Sequence, residues 1–132
     1  MMIHFLTILA FVPAFSLQAA PVQGQSEPPE LTYEAGSQLT TEQRASLRCS
    51  AAFALIAHGQ SIGNEAALQW PKLETRGREF FVRTTADLME KTGMSRQQIT
   101  QVTSDEANAL INDDEVETVM PSCLILLEAS GV

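Results

Sequence analysis

An all-α fold, a small four-helix bundle stapled by one disulfide between its first and last helices, follows from three features of the chain. Apolar residues recur at spacings of three and four, and no stretch alternates with the period of a strand. Thr40 with Gln43, and Ser95 with Gln98, have the spacing of a capping box, in which a hydroxyl and an amide satisfy each other's backbone N–H groups at a helix start. The chain's two cysteines, Cys49 and Cys123, both lie in apolar helical segments.

At 132 residues there is room for one domain. Residues 1–24, MMIHFLTILAFVPAFSLQAAPVQG, read as a secretory signal peptide: an apolar run from Ile3 to about Leu17, then small and polar residues. The run has no Lys or Arg before it. It is short for a membrane span of about 20 residues and contains Pro13, so export with cleavage is expected, leaving no membrane attachment. The mature chain should begin between Leu17 and Gln25. No cysteine precedes Cys49, so the acceptor of a bacterial lipoprotein is missing. Residues 25–39 read as a flexible leader, since the stretch 21–38 holds three prolines, two glycines and little apolar content. The helical domain is then 40–131.

The first helix starts at the Thr40 cap, with Glu42 in its first turn, where the helix dipole favours a carboxylate. From Ala51 to Ala57 it is apolar nearly all round, which predicts a central position in the bundle. Gly59 is the expected stop, supplying a left-handed residue. After the loop GQSIGN, Asn64 to Gln69 can form a short helical turn. Pro71 suits the first position of the second main helix. Its buried stripe is Trp70, Leu73, Gly77, Phe81, Thr84 and Leu88, with Phe80 beside it. Gly77 on that stripe predicts a close approach to another backbone. Glu79, Arg83, Asp87 and Lys91 alternate in sign on a solvated face, and Gly93 closes the helix.

Ser95 and Gln98 open the third main helix, with Met94 and Ile99 placed as a hydrophobic staple. Ile99, Val102, Ala109 and Leu110 carry its apolar face, and Glu106 interrupts it. Asn112-Asp113-Asp114-Glu115 breaks the chain and recaps it. The last helix runs through Val116, Val119, Met120, Cys123, Leu124 and Leu127 to about Ala129, with Pro121 expected to bend or restart it.

The segments RCSAAFALIAHG, GMSRQQI and VMPSCLILLEASG resemble those of short exported alphaproteobacterial proteins with two cysteines, a likeness covering roughly residues 40–131. This resemblance carries no activity with it. Small periplasmic acid-stress chaperones are likewise all-helical with one disulfide, a similarity of architecture alone.

Export decides how the cysteines are read. Two thiols in an oxidising compartment pair, here closing a loop whose ends are 74 positions apart. A redox or metal pair would want a C-x-x-C spacing, which the chain lacks. Eight basic and 16 acidic residues give a net charge of -8. That balance speaks against nucleic acid and anionic membranes as partners. No basic residue follows Arg96, whereas Asp105, Glu106, Asp113, Asp114, Glu115, Glu117 and Glu128 do. A cationic protein partner would be drawn to that end; otherwise it is a solvated face.

Candidate chemistry is thin. Cys49 as a nucleophile needs a base, and His58, the one histidine beyond the signal peptide, lies nine positions later on the same helix. Its place at the helix end suits terminal carbonyls. The acids Asp113, Asp114, Glu115 and Glu117 lack the spacing of an EF-hand loop and read as helix caps rather than calcium ligands. Trp70, Phe53, Phe80 and Phe81 read as core, with a ligand pocket as the alternative. No catalytic, cofactor-binding or metal residue is assigned, and no cofactor is expected. The chain reads as a small periplasmic or secreted non-enzymatic domain acting through protein contacts, in a stress, chaperone-like or inhibitory role. The alternative is a carrier of a small apolar ligand between its helices.

Overall fold

The computed structural model describes residues 38–132. The stretch read as a signal peptide and all but the end of the expected leader lie outside the described residues. Those that are described form four long helices and one short one, with no strand among them: α1 (Thr41–Ser61), α2 (Glu65–Leu68), α3 (Arg76–Thr92), α4 (Arg96–Asn112) and α5 (Val116–Ala129).

Helix α1 contacts each of the other four helices, the central position its apolar stretch predicts. Its start is the expected capping box: Gln43 N–H donates to the Thr40 hydroxyl at 3.2 Å, and Thr40 N–H donates to the Gln43 side chain at 2.9 Å. The helix does not stop at Gly59. It continues to Ser61, and Gly63, with φ 76°, takes the left-handed turn. Gly59 is there for space: a Cβ on it would lie 2.6 Å from the Cβ of Ala67 on α2.

Helix α3 begins at Arg76, five positions later than Pro71 suggests. The cause is tertiary. The carbonyls of Trp70 and Pro71 and the N–H of Leu73 are all bonded to the Gln60 side chain, so this stretch is held as a loop. The helix ends as expected at Gly93, with φ 75°. Phe80, not Phe81, occupies the core of the predicted stripe; Phe81 and Trp70 are half-buried. Gly77 is buried, and a Cβ there would stand 3.2 Å from that of Phe53. The approach is thus to a side-chain root of α1.

Helix α4 opens on the Ser95–Gln98 capping box. Met94 and Ile99 are buried together with Leu39, Leu47, Leu88 and Val102. Leu39, placed in the leader by composition, is therefore part of the domain. A second group of buried residues gathers Phe53, Ile56, Leu73, Phe80, Leu110, Met120 and Leu127 around the cysteines. In it the Phe53 and Phe80 rings meet edge to face, 5.3 Å between centroids, an arrangement that adds about 1 kcal/mol to their burial. Ser50, buried among apolar neighbours, donates its hydroxyl to the Ser46 carbonyl at 2.9 Å, so no polar atom is stranded there.

Helix α5 runs through Pro121 without a restart. A proline there removes only the bond to the Glu117 carbonyl, and Glu117 is exposed, so water can take that carbonyl. Cys49 on α1 and Cys123 on α5 stand at disulfide distance, with Cα atoms 5.2 Å apart. The staple joins first and last helices as the sequence predicts. Such a bond belongs to an oxidising, non-cytoplasmic setting. Among the described residues no helix is long and apolar enough to cross a membrane.

Candidate functional site

A half-open groove of about 610 Å³ lies between the last turns of α1, the α2–α3 loop and the first turns of α3. Phe53, Ala54, Ala57, Trp70, Gly77 and Phe81 make its largely apolar lining. Leu68 also lines it and is 58% exposed. Lys72, Glu74 and Arg78 bring charge to it.

Each wall has a local cause. Gly77 lets α3 lie against α1 at Phe53. Gly59 lets α2 fold back on the end of α1. Asn64 caps α2 by accepting the Ala67 N–H at 3.1 Å. Gln60 then fixes the loop. Its amide nitrogen donates to the carbonyls of Ala67, Trp70 and Pro71 at 3.1, 3.1 and 2.9 Å, and its oxygen accepts Leu73 N–H at 3.2 Å. One side chain thereby reaches four backbone groups, its two amide hydrogens shared among three carbonyls, and Trp70 is held beside the groove. Gln60 carries no sequence signal; only a polar residue late in an apolar helix, followed by a helix stop and a Pro, hints at it.

A second cleft of about 530 Å³ runs between the start of α1, α3 and the end of α5. Of its charged side chains, Arg83, Asp87 and Lys91 are consumed by the pairs Arg83–Glu79 and Lys91–Asp87, at 2.6 and 2.8 Å, and Glu42 at the start of α1 is not in either pair. This is the sign-alternating ladder read from the sequence. The Trp70 groove differs: among the described residues Lys72 and Arg78 make no ion pair, and both are exposed.

The remaining candidates are separated. Cys49 is bonded to Cys123 and cannot act as a thiolate. His58 is exposed in the last turn of α1. Its carbonyl is taken by the Ser61 hydroxyl and the Ile62 N–H, not by its imidazole. The acidic run occupies cap positions without a side-chain capping bond: Asp113 is the C-cap of α4, and Glu117 lies in the first turn of α5. Asp113 and Asp114 form the turn, Asp114 with φ 53°, and Glu115 occupies the N-cap position without a side-chain capping bond. Its carboxylate pairs with Arg48, as does that of Glu106. Arg48 thus ties α1 to α4 and to the start of α5. Burial lowers the Arg48 pKa, and the two carboxylates outweigh that, leaving it raised.

Arg76 binds Glu128 at 2.7 Å and the Val132 carbonyl at 2.9 Å. Of the seven acids that follow Arg96, Glu106, Glu115 and Glu128 are therefore in ion pairs within the chain, and Asp105 accepts the Gln101 side-chain amide at 2.8 Å. Among the described residues no group of three or more His, Cys, Asp or Glu is placed to hold a metal ion. Compared with protein-family models, curated proteins and solved structures, the chain finds no match in any of the three.

Proposed function

We propose that the chain is an exported, non-enzymatic helical domain of the periplasm or the secreted fraction, acting by contact with another protein in a chaperone-like, stress-related or inhibitory role. The observation that carries this reading is the groove: an apolar lining open to solvent, with walls fixed by Gln60, Gly59 and Gly77. A carrier buries most of its ligand's surface; a groove open along one side suits a segment of a partner chain. Leu68, exposed beside it, extends the apolar surface that a segment would cover.

The test is site-specific photocrosslinking in the producing cell. A photoreactive phenylalanine analogue in place of Leu68 should give a defined adduct. The same group in place of Thr100, exposed on α4 away from the groove, should give none. Ala54→Arg, a substitution at an exposed lining position, should abolish the Leu68 adduct without unfolding the domain. No adduct at Leu68, or equal adducts at both positions, overturns the reading.

A further inference from the structure

Resting on that reading, we infer that the segment the groove accepts is apolar with a carboxylate at its edge, the carboxylate lying between Lys72 and Arg78. The argument starts from the charge balance. With 16 acidic side chains against eight basic ones, a cation in this chain has acids at hand. Arg48, Arg76, Arg83 and Lys91 are all in ion pairs. Lys72, Arg78 and Arg96 are not, and of these Lys72 and Arg78 line the same apolar groove.

Both lie close in sequence to Trp70, on the loop and helix that Gln60 and Gly77 hold in place. Glu74 also lines the groove, leaving a local balance of one positive charge. Glu79, the next residue after Arg78, is taken by Arg83 at 2.6 Å, and at physiological salt charges beyond about 8 Å are largely screened. A carboxylate beside the apolar part of a docked segment would therefore find two unpaired donors. Two lysines there would face the same two cations as like charges.

The chain supplies its own probe, since Trp70 is its one tryptophan and lines the groove. The purified, disulfide-bonded protein is titrated with short tryptophan-free peptides sharing one Leu/Phe/Ala core and ending in two Glu, two Gln or two Lys. The Glu peptide is expected to shift Trp70 emission to the blue saturably. It should bind tighter than the Gln peptide by about fivefold, the size of two exposed charge contacts, and the Lys peptide should bind weakest. Lys72→Gln with Arg78→Gln should reduce the Glu peptide to the level of the Gln peptide, and high salt should do the same.

If all three peptides bind equally and Ala54→Arg abolishes binding of each, the carboxylate assignment fails and the groove survives. A preference for the Lys peptide overturns the assignment in the same way. If no peptide moves Trp70, the groove itself is not a contact surface and both readings fall.

Discussion

The side-chain oxygen of Gln60 accepts the main-chain N–H of Leu73 at 3.2 Å, across 13 positions of sequence, and this bond closes the wall of the groove. The same amide's two N–H hydrogens are shared among the carbonyls of Ala67 on α2 and of Trp70 and Pro71 on the loop. Gln60→Ala strips their partner from the part-buried Trp70 carbonyl and Leu73 N–H, while the Ala67 carbonyl keeps the Trp70 N–H and the exposed Pro71 carbonyl turns to water. Leaving such part-buried groups unpaired costs roughly 1–3 kcal/mol. Denaturant unfolding followed by Trp70 fluorescence should show that loss together with a red-shifted native emission. Gln60→Glu should be no better, because it turns a charge toward three carbonyls. An unchanged midpoint and emission in both variants would mean the loop is held by something else.

Gly59 and Gly77 should respond differently to alanine. At Gly59 the new Cβ would lie 2.6 Å from that of Ala67, closer than carbon atoms can sit, so α2 must move. Overpacking of this kind costs about 1–3 kcal/mol, more than the roughly 1 kcal/mol that alanine gains in a helix. At Gly77 the nearest atoms are Leu73 and Phe53 Cβ at 3.1 and 3.2 Å, a contact that a small shift relieves. Thermal melts should therefore place Gly59→Ala clearly below the parent and Gly77→Ala near it. The reverse order would refute the packing described for α2.

Arg48 is expected to matter through Glu106 more than through Glu115. The Glu106 side chain is 16% exposed and the Glu115 side chain 44%. Removing the cation leaves the first carboxylate nearly buried and alone, while the second is solvated. A double-mutant cycle of Arg48→Ala with Glu106→Gln should give a larger coupling than one with Glu115→Gln. Equal couplings would show that burial does not set the difference.

Acid should weaken the domain partly through Glu42 and Glu128. The Glu42 carboxyl is held below its ordinary value of about 4.5 by its own main-chain N–H and then by the Thr40 side chain. Glu128 is held down by the hydrogen bond and the charge of Arg76. A carboxylate depressed in the folded state stabilises above its unfolded pKa. That contribution is lost as pH falls through the folded value. Melting temperatures should hold steady from neutral pH and fall below about 4.5, less steeply in Glu42→Gln and Glu128→Gln. Parallel curves for parent and variants would reject both assignments.

Reduction should lower the melting temperature without loss of helix in the cold. Closing a loop with ends 74 positions apart stabilises by roughly 4 kcal/mol in the chain-entropy picture, because it restricts the unfolded chain. Cys49→Ala, Cys123→Ala and the double variant should lose the same amount. Two iodoacetamide adducts on unreduced protein would show free thiols and remove the staple.

What the sequence revealed was local. The capping boxes at Thr40 and Ser95 involve residues three apart, so their spacing is their geometry. Gly93 ends α3 because a left-handed residue was needed where the apolar stripe ran out. The staple was legible because two cysteines admit one pairing. What escaped depended on distant parts of the chain. Pro71 has the right chemistry to begin a helix, but Gln60, eleven positions earlier, holds its carbonyl. Gly59 looked like a stop, and its missing Cβ is instead an accommodation to Ala67. Glu115 looked like a cap and reaches across 67 positions to Arg48. The groove needs Gln60, Gly59 and Gly77 together, a coincidence in space that periodicity does not record.

The sulfur bridge also sets the path of mechanical load. Cys49 lies in the third turn of α1 and Cys123 in the middle of α5. Tension between residue 38 and residue 132 would enter along the first turns of α1, cross at the sulfurs and leave along the end of α5. Most of the bundle, with the whole groove, lies inside the shunted loop and carries none of it. A domain tethered at both ends would keep the groove intact while its outer turns fray. Single-molecule pulling on the oxidised protein should extend only those turns, and the long contour step should appear once reductant is added.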